Sequence, residues 1–352
     1  MTKRIAIIIS PNYKDYAKKY LAECYDSIKK QAYAGEMKIF MADNESTEES
    51  YGYVKSIMQE AEIVRNKNND GFAKANNDCL KAALAQGFDY FILFNMDTVL
   101  EPDCVSEMAE VAGNDEKIGA VQARLMLYEN QDKINSLGNV THFLGFGYTE
   151  ENGEKIANDK CLITKEIAYP SGAAVLFTRV ALEKVGLFDE EFWMYNEDQD
   201  LGWRLWLAGF RCVLAPRAVA YHKYEFLRSV KQYYFMDRNR LIAMLKNYHW
   251  ATLALIFPAF VMMEIGLLFF AAKNGWFKGK MKVYAYFLSL KNWRFILAAR
   301  KQTQCLRQTK DREIIKLFSG KIWYQEIGDG RLKIANVVFG LYWEIAKFFI
   351  IW

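Results

Sequence analysis

Proline is scarce in this chain, five in 352 residues, and histidine scarcer at three. The six cysteines, Cys24, Cys79, Cys104, Cys161, Cys212 and Cys305, include no CxxC and no paired spacing. That excludes a zinc ribbon or a disulfide framework and predicts a reducing compartment. Neither GxGxxG nor GxxxxGK[ST] occurs, so neither a dinucleotide fingerprint nor a P-loop explains the sheet read below. Met1-Thr2-Lys3-Arg4 runs straight into the apolar residues 5–9, too short a run for the core of a signal peptide. A cytoplasmic body is therefore expected. No nucleic-acid motif accompanies the basic residues, so no nucleic-acid partner is expected.

What is present is unevenly distributed. Hydrophobic residues make up 52% and aromatics 15%, with the excess in 250–272 and 334–352. The net charge of +4 hides a second asymmetry: residues 273–333 carry fifteen Lys/Arg against four acids, +11, leaving −7 for the rest. An acidic body with a basic, aromatic tail predicts a soluble domain seated on an anionic membrane surface. The expected division is a domain over 1–248, with halves of about 1–100 and 101–248, and a helical, membrane-associating region over 249–352.

The first 220 residues alternate strand-like and helix-like patterns. Residues 5–10 form a β-branched run, 15–31 a helix, 38–42 a strand and 72–86 a helix, and 89–94 is a buried strand. Such alternation predicts βαβ units in a mainly parallel sheet flanked by helices. Ligands then collect at the carboxyl ends of the strands, where Ser10, Asn12, Asp43 and Asn44 fall. Asp43 suits a nucleobase imide or a ribose hydroxyl, although Asp-Asn is also ordinary turn chemistry. Gly71, after Asn69-Asp70, marks a tight turn or lets a phosphate approach a helix N-terminus. Asn95-Met96-Asp97 ends the buried strand, where a carboxylate is placed to hold a hard cation. Ser171-Gly172 gives a small-residue floor that packs or admits a sugar.

Residues 193–204 read Trp-Met-Tyr-Asn-Glu-Asp-Gln-Asp-Leu-Gly-Trp-Arg, three carboxylates entering a helix over about 198–207. The plain reading makes Asp198 a cap, Asp200 a partner of the helix dipole, and Asp200–Arg204 a surface pair. His222 follows a short strand.

Asp43-Asn44-x-Ser46-Thr47, Asn69-x-Gly71-Phe72-Ala73-x-x-Asn76-Asn77, Asn95-x-Asp97, Ser171-Gly172, Glu197-Asp198-x-Asp200-Leu201-x-Trp203-Arg204 and His222 occur in this order. Together they resemble the family 2 inverting glycosyltransferases, particularly the rhamnosyltransferase-like branch, over residues 3–245. The resemblance implies a GT-A fold and transfer of one sugar from a nucleotide-sugar, dTDP-rhamnose or a UDP-sugar, to a polyprenyl-linked or glycan acceptor. It implies donor nucleotide contacts from Ser10, Asn12, Asp43, Asn44, Asn69, Gly71, Asn76 and Asn95. A divalent cation, Mg2+ or Mn2+, would sit on Asp97 and His222. An acceptor and sugar pocket would comprise Ser171, Gly172, Trp193, Asp200 and Arg204. Asp198 would be the general base and Glu197 a supporting acid. Asp200, within reach of Arg204, would have its basicity reduced, which favours Asp198. Asn95 departs from the family's usual leading Asp, which weakens the expected metal dependence, and Met96 departs from Asn-Pro-Asp. The processive members' Gln-x-x-Arg-Trp is approached only by Gln304-Cys305-Leu306-Arg307-Gln308, which lacks the Trp. A non-processive enzyme is expected.

Two rivals frame that reading. A nucleotidyltransferase would want a basic Gly-rich loop after the first strand, and Ser10-Pro11-Asn12-Tyr13 is neither. An inactive glycan-binding scaffold is opposed by the intact Asp97, Asp198 and His222. In the tail, 251–272 is long enough to span a bilayer, but Pro258 and Glu264 lie inside it. One crossing would also place the basic stretch outside, against the positive-inside rule. A peripheral or monotopic seat on the cytoplasmic face is expected, with 281–299 an interfacial helix. The alternative is a buried helical subdomain or a homo-oligomer contact.

Overall fold

The computed structural model describes residues 2–149, 151–156, 163–224, 230–322 and 330–352, so Cys161 lies outside the described residues. The chain opens with β1 (Ile5–Lys14), α1 (Tyr16–Lys29), β2 (Met37–Ser46), α2 (Glu48–Ile57), β3 (Glu62–Asn66), α3 (Gly71–Ala85) and β4 (Tyr90–Phe94). The four strands pair in parallel in the order β3-β2-β1-β4. β1 is apolar throughout because both of its faces are covered. Ile5, Ile7 and Ile9 join the core under α1, while Ala6 and Ile8 join the core under α3.

The sheet then continues through a strand of opposite sense. The chain supplies β5 (Thr98–Leu100), α4 (Cys104–Gly113), β6 (Ile118–Leu127), β7 (Ile134–Ser136), β8 (Asn139–His142), β9 (Gly147–Thr149) and β10 (Lys165–Glu166). After these come β11 (Ala174–Thr178), α5 (Arg179–Val185), α6 (Glu197–Leu207) and β12 (Arg211–His222). β11 lies antiparallel between β4 and β6, so β6 and the parallel β12 again point with β4. The start of β11 and the ends of β4 and β12 therefore share one edge. There Ala174 pairs Phe94 and His222 pairs Thr98. The short strand expected before His222 is the end of the twelve-residue β12, whose register is broken between Ala215 and Val219.

The C-terminal region packs onto the body. It comprises α7 (Val230–Asn247), α8 (Trp250–Lys273), α9 (Phe277–Leu288), α10 (Leu290–Cys305), α11 (Asp311–Ile314), β13 (Phe318–Ser319) and α12 (Gly330–Phe349). β13 pairs with β8, and the buried Trp343 stacks on Phe143 at 4.7 Å. Residues 1–248 and 249–352 thus share a core, in which Phe143, Tyr169 and Trp203 meet Ile256, Phe318 and Trp343. The single helix expected over 281–299 is two, because Ser289 is extended at ψ 120°. Glu264, the acid that made 251–272 an expensive span, is buried against Arg240 at 2.5 Å and Lys280 at 2.7 Å.

Candidate active site

The turn after β4 is pinned from both sides. Met96 N donates to Ser10 Oγ on β1 (2.9 Å), and Asn95 N donates to the Ala173 carbonyl beside β11 (2.9 Å). These bonds present Asp97 and Asn95 at the sheet edge, each with a buried Oδ1 that has no hydrogen-bond partner. Asp97 Oδ2 accepts from Tyr16 Oη at 3.1 Å, and its Oδ1 lies 3.3 Å from His222 Nε2. His222 Nδ1 lies 2.9 Å from Asn135 Oδ1. An acceptor there calls for the proton on Nδ1, which leaves the Nε2 lone pair facing a carboxylate oxygen. Only a proton or a cation reconciles two such atoms. Burial pushes the Asp97 carboxyl up, but a His222 ring that carries both protons, together with the Tyr16 hydroxyl, outweighs it and holds the group below the usual range.

At the end of β2, Asp43 Oδ1 accepts from Asn12 Nδ2 (3.1 Å), while the buried Oδ2 has no hydrogen-bond partner. Arg65 Nε approaches that oxygen at 3.6 Å, and its guanidinium lies 4.0 Å over the Tyr51 ring. Several of the expected nucleotide contacts also hold the framework together. Asn12 spends its amide on Asp43, Ser50 Oγ and the Ala17 amide that opens α1. Asn44 joins the Gly71 carbonyl to Asn66. Asn69 Oδ1 accepts from Gly71 N at 3.2 Å, and Ala73 N is held by the Trp193 carbonyl. Gly71, at φ +82°, is required because a Cβ there would lie 2.4 Å from that carbonyl. The α3 amides offered to a phosphate are in this way partly engaged. Asn76 bonds the Phe72 carbonyl through Nδ2 and leaves a buried Oδ1 unpaired.

The entry to α6 is strained and held. Trp193, Tyr195 and Asn196 have φ of 58°, 70° and 63°, values that cost non-glycine residues. Asn239 of α7 offsets this, donating from Nδ2 to the carbonyls of Phe192, Met194 and Tyr195 at 2.9, 2.9 and 2.7 Å. Trp193 stacks on Phe235 at 4.8 Å. Asn196, not Asp198, occupies the cap position. Asp198 is partly exposed, with Oδ1 accepting from Gln199 N (2.8 Å) and Oδ2 from Gly172 N (3.4 Å). Burial lifts its carboxyl to about 6 against the pull of these amides. Glu197 is more deeply buried, with Oε2 unpaired, and burial together with the charge of Asp198 raises it well above the usual range.

Asp200 and Arg204 leave the expected acceptor pocket and are no surface pair. Asp200 is fully buried, held by Arg204 Nε (2.9 Å), Lys246 Nζ (3.1 Å) and Asn247 Nδ2 (2.9 Å). Arg204 spends its remaining nitrogens on the Val185 and Leu187 carbonyls. Ser171 N donates to Gln122 Oε1 (2.7 Å), and a Cβ on Gly172 would meet the Phe72 ring at 3.3 Å. Asn135, Tyr16, Gln122 and Asn239 carry no sequence signal, since each acts through a partner far along the chain. The structure thus gathers Asp43, Asn95, Asp97, His222, Asp198 and Gly172 along one edge. Unpaired buried oxygens on Asp43, Asn95, Asp97 and Glu197 suit ligands that bring donors or positive charge.

A family model described as Glycosyl transferase family 2 matches residues 7–186, just over half of the chain. An N-acetylglucosaminyl-diphospho-decaprenol L-rhamnosyltransferase of Mycobacterium tuberculosis is 45% identical over 60 residues, 17% of this chain and 20% of that protein. A poly-beta-1,6-N-acetyl-D-glucosamine synthase of Staphylococcus aureus is 26% identical over 155 residues, 44% of this chain and 34% of that protein. The chain matches only a fifth to a third of these relatives' lengths. A mannosyltransferase from Pyrobaculum calidifontis, solved with GDP-Man and Mn2+, superposes with a TM-score of 0.50. That match has 15% identity over 100% of this chain and 88% of the other.

Proposed function

The chain belongs to glycosyl transferase family 2, and on that premise we propose an inverting, non-processive enzyme that moves one sugar from a nucleotide-sugar to a lipid-linked or glycan acceptor. Its fold is GT-A. The observation that carries the reading is geometric: Asp198, held by the Gly172 and Gln199 amides, stands at the β11 end of the sheet edge where β4 and β12 bring Asp97 and His222 within 3.3 Å of each other. The acceptor hydroxyl oxygen attacks the anomeric carbon, and Asp198 takes its proton. The bond to the nucleoside diphosphate breaks on the opposite face, and the diphosphate leaves with the electron pair. Burial and the Asp198 charge push the Glu197 carboxyl well above the usual range, which disfavours a second negative charge beside Asp198. Asp43 offers an acceptor to the base or ribose. Rhamnose is the favoured sugar, on the similarity to the rhamnosyltransferase.

Asp97 Oδ1 and His222 Nε2, 3.3 Å apart, would hold a divalent cation, Mg2+ or Mn2+, and the unpaired Oδ1 of Asn95 on the same turn offers a further oxygen. Bound there, it would supply positive charge to the departing diphosphate. Asp97→Ala is expected to abolish metal-dependent binding of nucleoside diphosphate while leaving thermal unfolding intact. Asn135→Ala, which frees the His222 ring, should weaken that binding by about 10–100-fold. Calorimetric titration with and without Mn2+ checks both, and unchanged affinity in Asp97→Ala removes the metal from this edge.

Single addition is supported by Gln304 and Arg307, which are spent on the Lys246 and Asn247 carbonyls at the end of α7. A seat on the cytoplasmic face of a membrane fits a polyprenyl-linked acceptor and the basic C-terminal region.

A further inference from the structure

We propose that the exposed faces of α8 and α12 form one docking face for an anionic lipid bilayer, with α8 lying along the membrane surface instead of crossing it. This deepens the membrane seat proposed above, but it is carried by residues outside the sugar-transfer site.

Among the described residues, α8 is the helix long and apolar enough to cross a bilayer. Its exposure is one-sided. Phe257, Val261, Ile265 and Phe269 recur every four residues and are exposed, with Met262 beside them, while Thr252, Ile256, Ala259, Glu264 and Ala271 are buried. The exposed stripe carries no charge. The buried side is tied to ionic groups of the body along its length. Thr252 Oγ1 bonds Asp311 (2.6 Å), and Glu264 meets Arg240 (2.5 Å) and Lys280 (2.7 Å). Asp237 completes this buried group through Arg240 and Lys280. Were α8 to cross, these charged groups of α7, α9 and α11 would be carried into the hydrocarbon with it, a large cost. Lying flat, α8 puts only its apolar stripe into lipid.

α12 repeats the pattern beside it. Ile334, Val337, Leu341, Ile345 and Phe348 are exposed, while Phe339, Trp343, Ala346 and, just past the helix, Ile350 are buried. The exposed face of α12 also carries one acid, Glu344, whose charge is met by Lys347 at 2.6 Å. Tyr342 Oη bonds the Leu255 carbonyl (2.6 Å) and Trp352 Nε1 bonds Thr252 Oγ1 (2.8 Å), fastening the two helices together. Adjoining exposed apolar stripes of this kind mark a surface that a partner or a membrane covers.

Charge selects the occupant. Lys273, Lys278 and Lys282 at the α8–α9 corner and Lys333 in the first turn of α12 are exposed. None has an ion pair among the described residues. They match anionic headgroups at the rim of an apolar face. A second copy docked on the same face would bring a second set of these lysines to the interface.

The test uses the full chain and vesicles of phosphatidylglycerol with phosphatidylcholine, read by flotation. Phe257→Asp with Phe269→Asp, and separately Leu341→Asp with Phe348→Asp, should each cut the bound fraction at least tenfold. Because these side chains are exposed, the thermal unfolding midpoint and nucleoside diphosphate affinity should not move. Orientation is read by fluorophores on cysteines replacing Phe257 or Phe269, after Cys161 and Cys305 are changed to Ser, using lipids brominated at different depths. A helix in the plane gives the two labels the same depth, whereas a crossing helix separates them by about 18 Å along its axis. Unequal depths, unchanged flotation, or a dimer in light scattering that the same substitutions disperse would each overturn the proposal. None of these readings depends on sugar transfer, so a failure of the enzyme assignment is told apart from a failure of the docking face.

Discussion

Asp198→Asn is expected to keep nucleotide-sugar affinity and to lose transfer by roughly a hundredfold or more, the scale of a general base. The choice among three neighbouring carboxylates rests on environment. Asp200 is neutralised by Arg204 and Lys246, and burial with the Asp198 charge pushes the Glu197 carboxyl well above the usual range. Asp198, partly exposed and lifted to about 6, loses its proton near neutrality and can regain it from an acceptor hydroxyl. The rate of transfer in the native enzyme should therefore rise with pH through about 6 and level off above it. Asp198→Asn should abolish that limb, and Glu197→Gln should lower turnover far less. Near-normal transfer by Asp198→Asn, with Glu197→Gln inactive, would move the base to the neighbour.

The same two groups predict a stability change of definite sign. A carboxyl whose folded pKa is raised above its unfolded value contributes most stability at low pH and loses it as pH rises through the folded pKa. Both Asp198 and Glu197 are of this kind. Asp198→Asn should raise the unfolding midpoint at pH 7–8, and the gain should fade as pH falls below about 6 and be gone below about 4, where the carboxyl is neutral in the folded and unfolded chain alike. Calorimetric scans across that range decide it; a variant less stable than the native chain at pH 8 would mean that the carboxylate is stabilised by the fold instead of strained by it.

What was legible in the sequence was what a local pattern writes. Residues 5–9 and 90–94 read as buried strands because an unbroken apolar run has to be covered on both faces, and β1 and β4 are. The placement of Asp43 and Asp97 at strand ends followed from the same alternation. That His222 would meet Asp97 came only from the family resemblance, since the residues alone show a histidine after a short strand, and the strand that delivers it runs twelve residues. Burial of polar groups was not legible. Asp200 and Arg204 stand at surface-pair spacing, and only Lys246 and Asn247, some forty residues on, make that corner a buried joint between α6 and α7. Asn12 and Asn44 look like loop ligands in sequence and serve as fasteners in the fold, because a carbonyl or amide from another segment reaches them first. Asn239 stands within an unremarkable Arg-Asn-Arg, yet it holds the backbone that carries the base.

Arg240→Met is expected to destabilise the chain by about 3–5 kcal/mol, the cost of leaving a buried carboxylate uncompensated. Arg240 and Lys280 stand against Asp237 and Glu264, two cations for two acids, all buried. Removing Arg240 also strips the Leu144 carbonyl of a donor at 3.0 Å and the Phe146 ring of its guanidinium at 4.3 Å. Lys280 then serves both acids alone, and one negative charge in that interior has no partner. The pH dependence follows from the native Asp237, which Arg240 and Lys280 hold below the usual carboxylate range against its burial. A lowered pKa gives stability that is present above the unfolded value and lost as pH falls through the folded one. In Arg240→Met the unpaired acid can take up a proton instead, so the deficit against the native chain should shrink as pH falls from 8 toward 4. Adding Glu264→Leu restores one cation to one acid and should recover part of the loss, which a double-mutant cycle in urea measures. A deficit under about 1 kcal/mol that is flat with pH would mean that water enters this corner, and that the four charges do not hold α8 to the body.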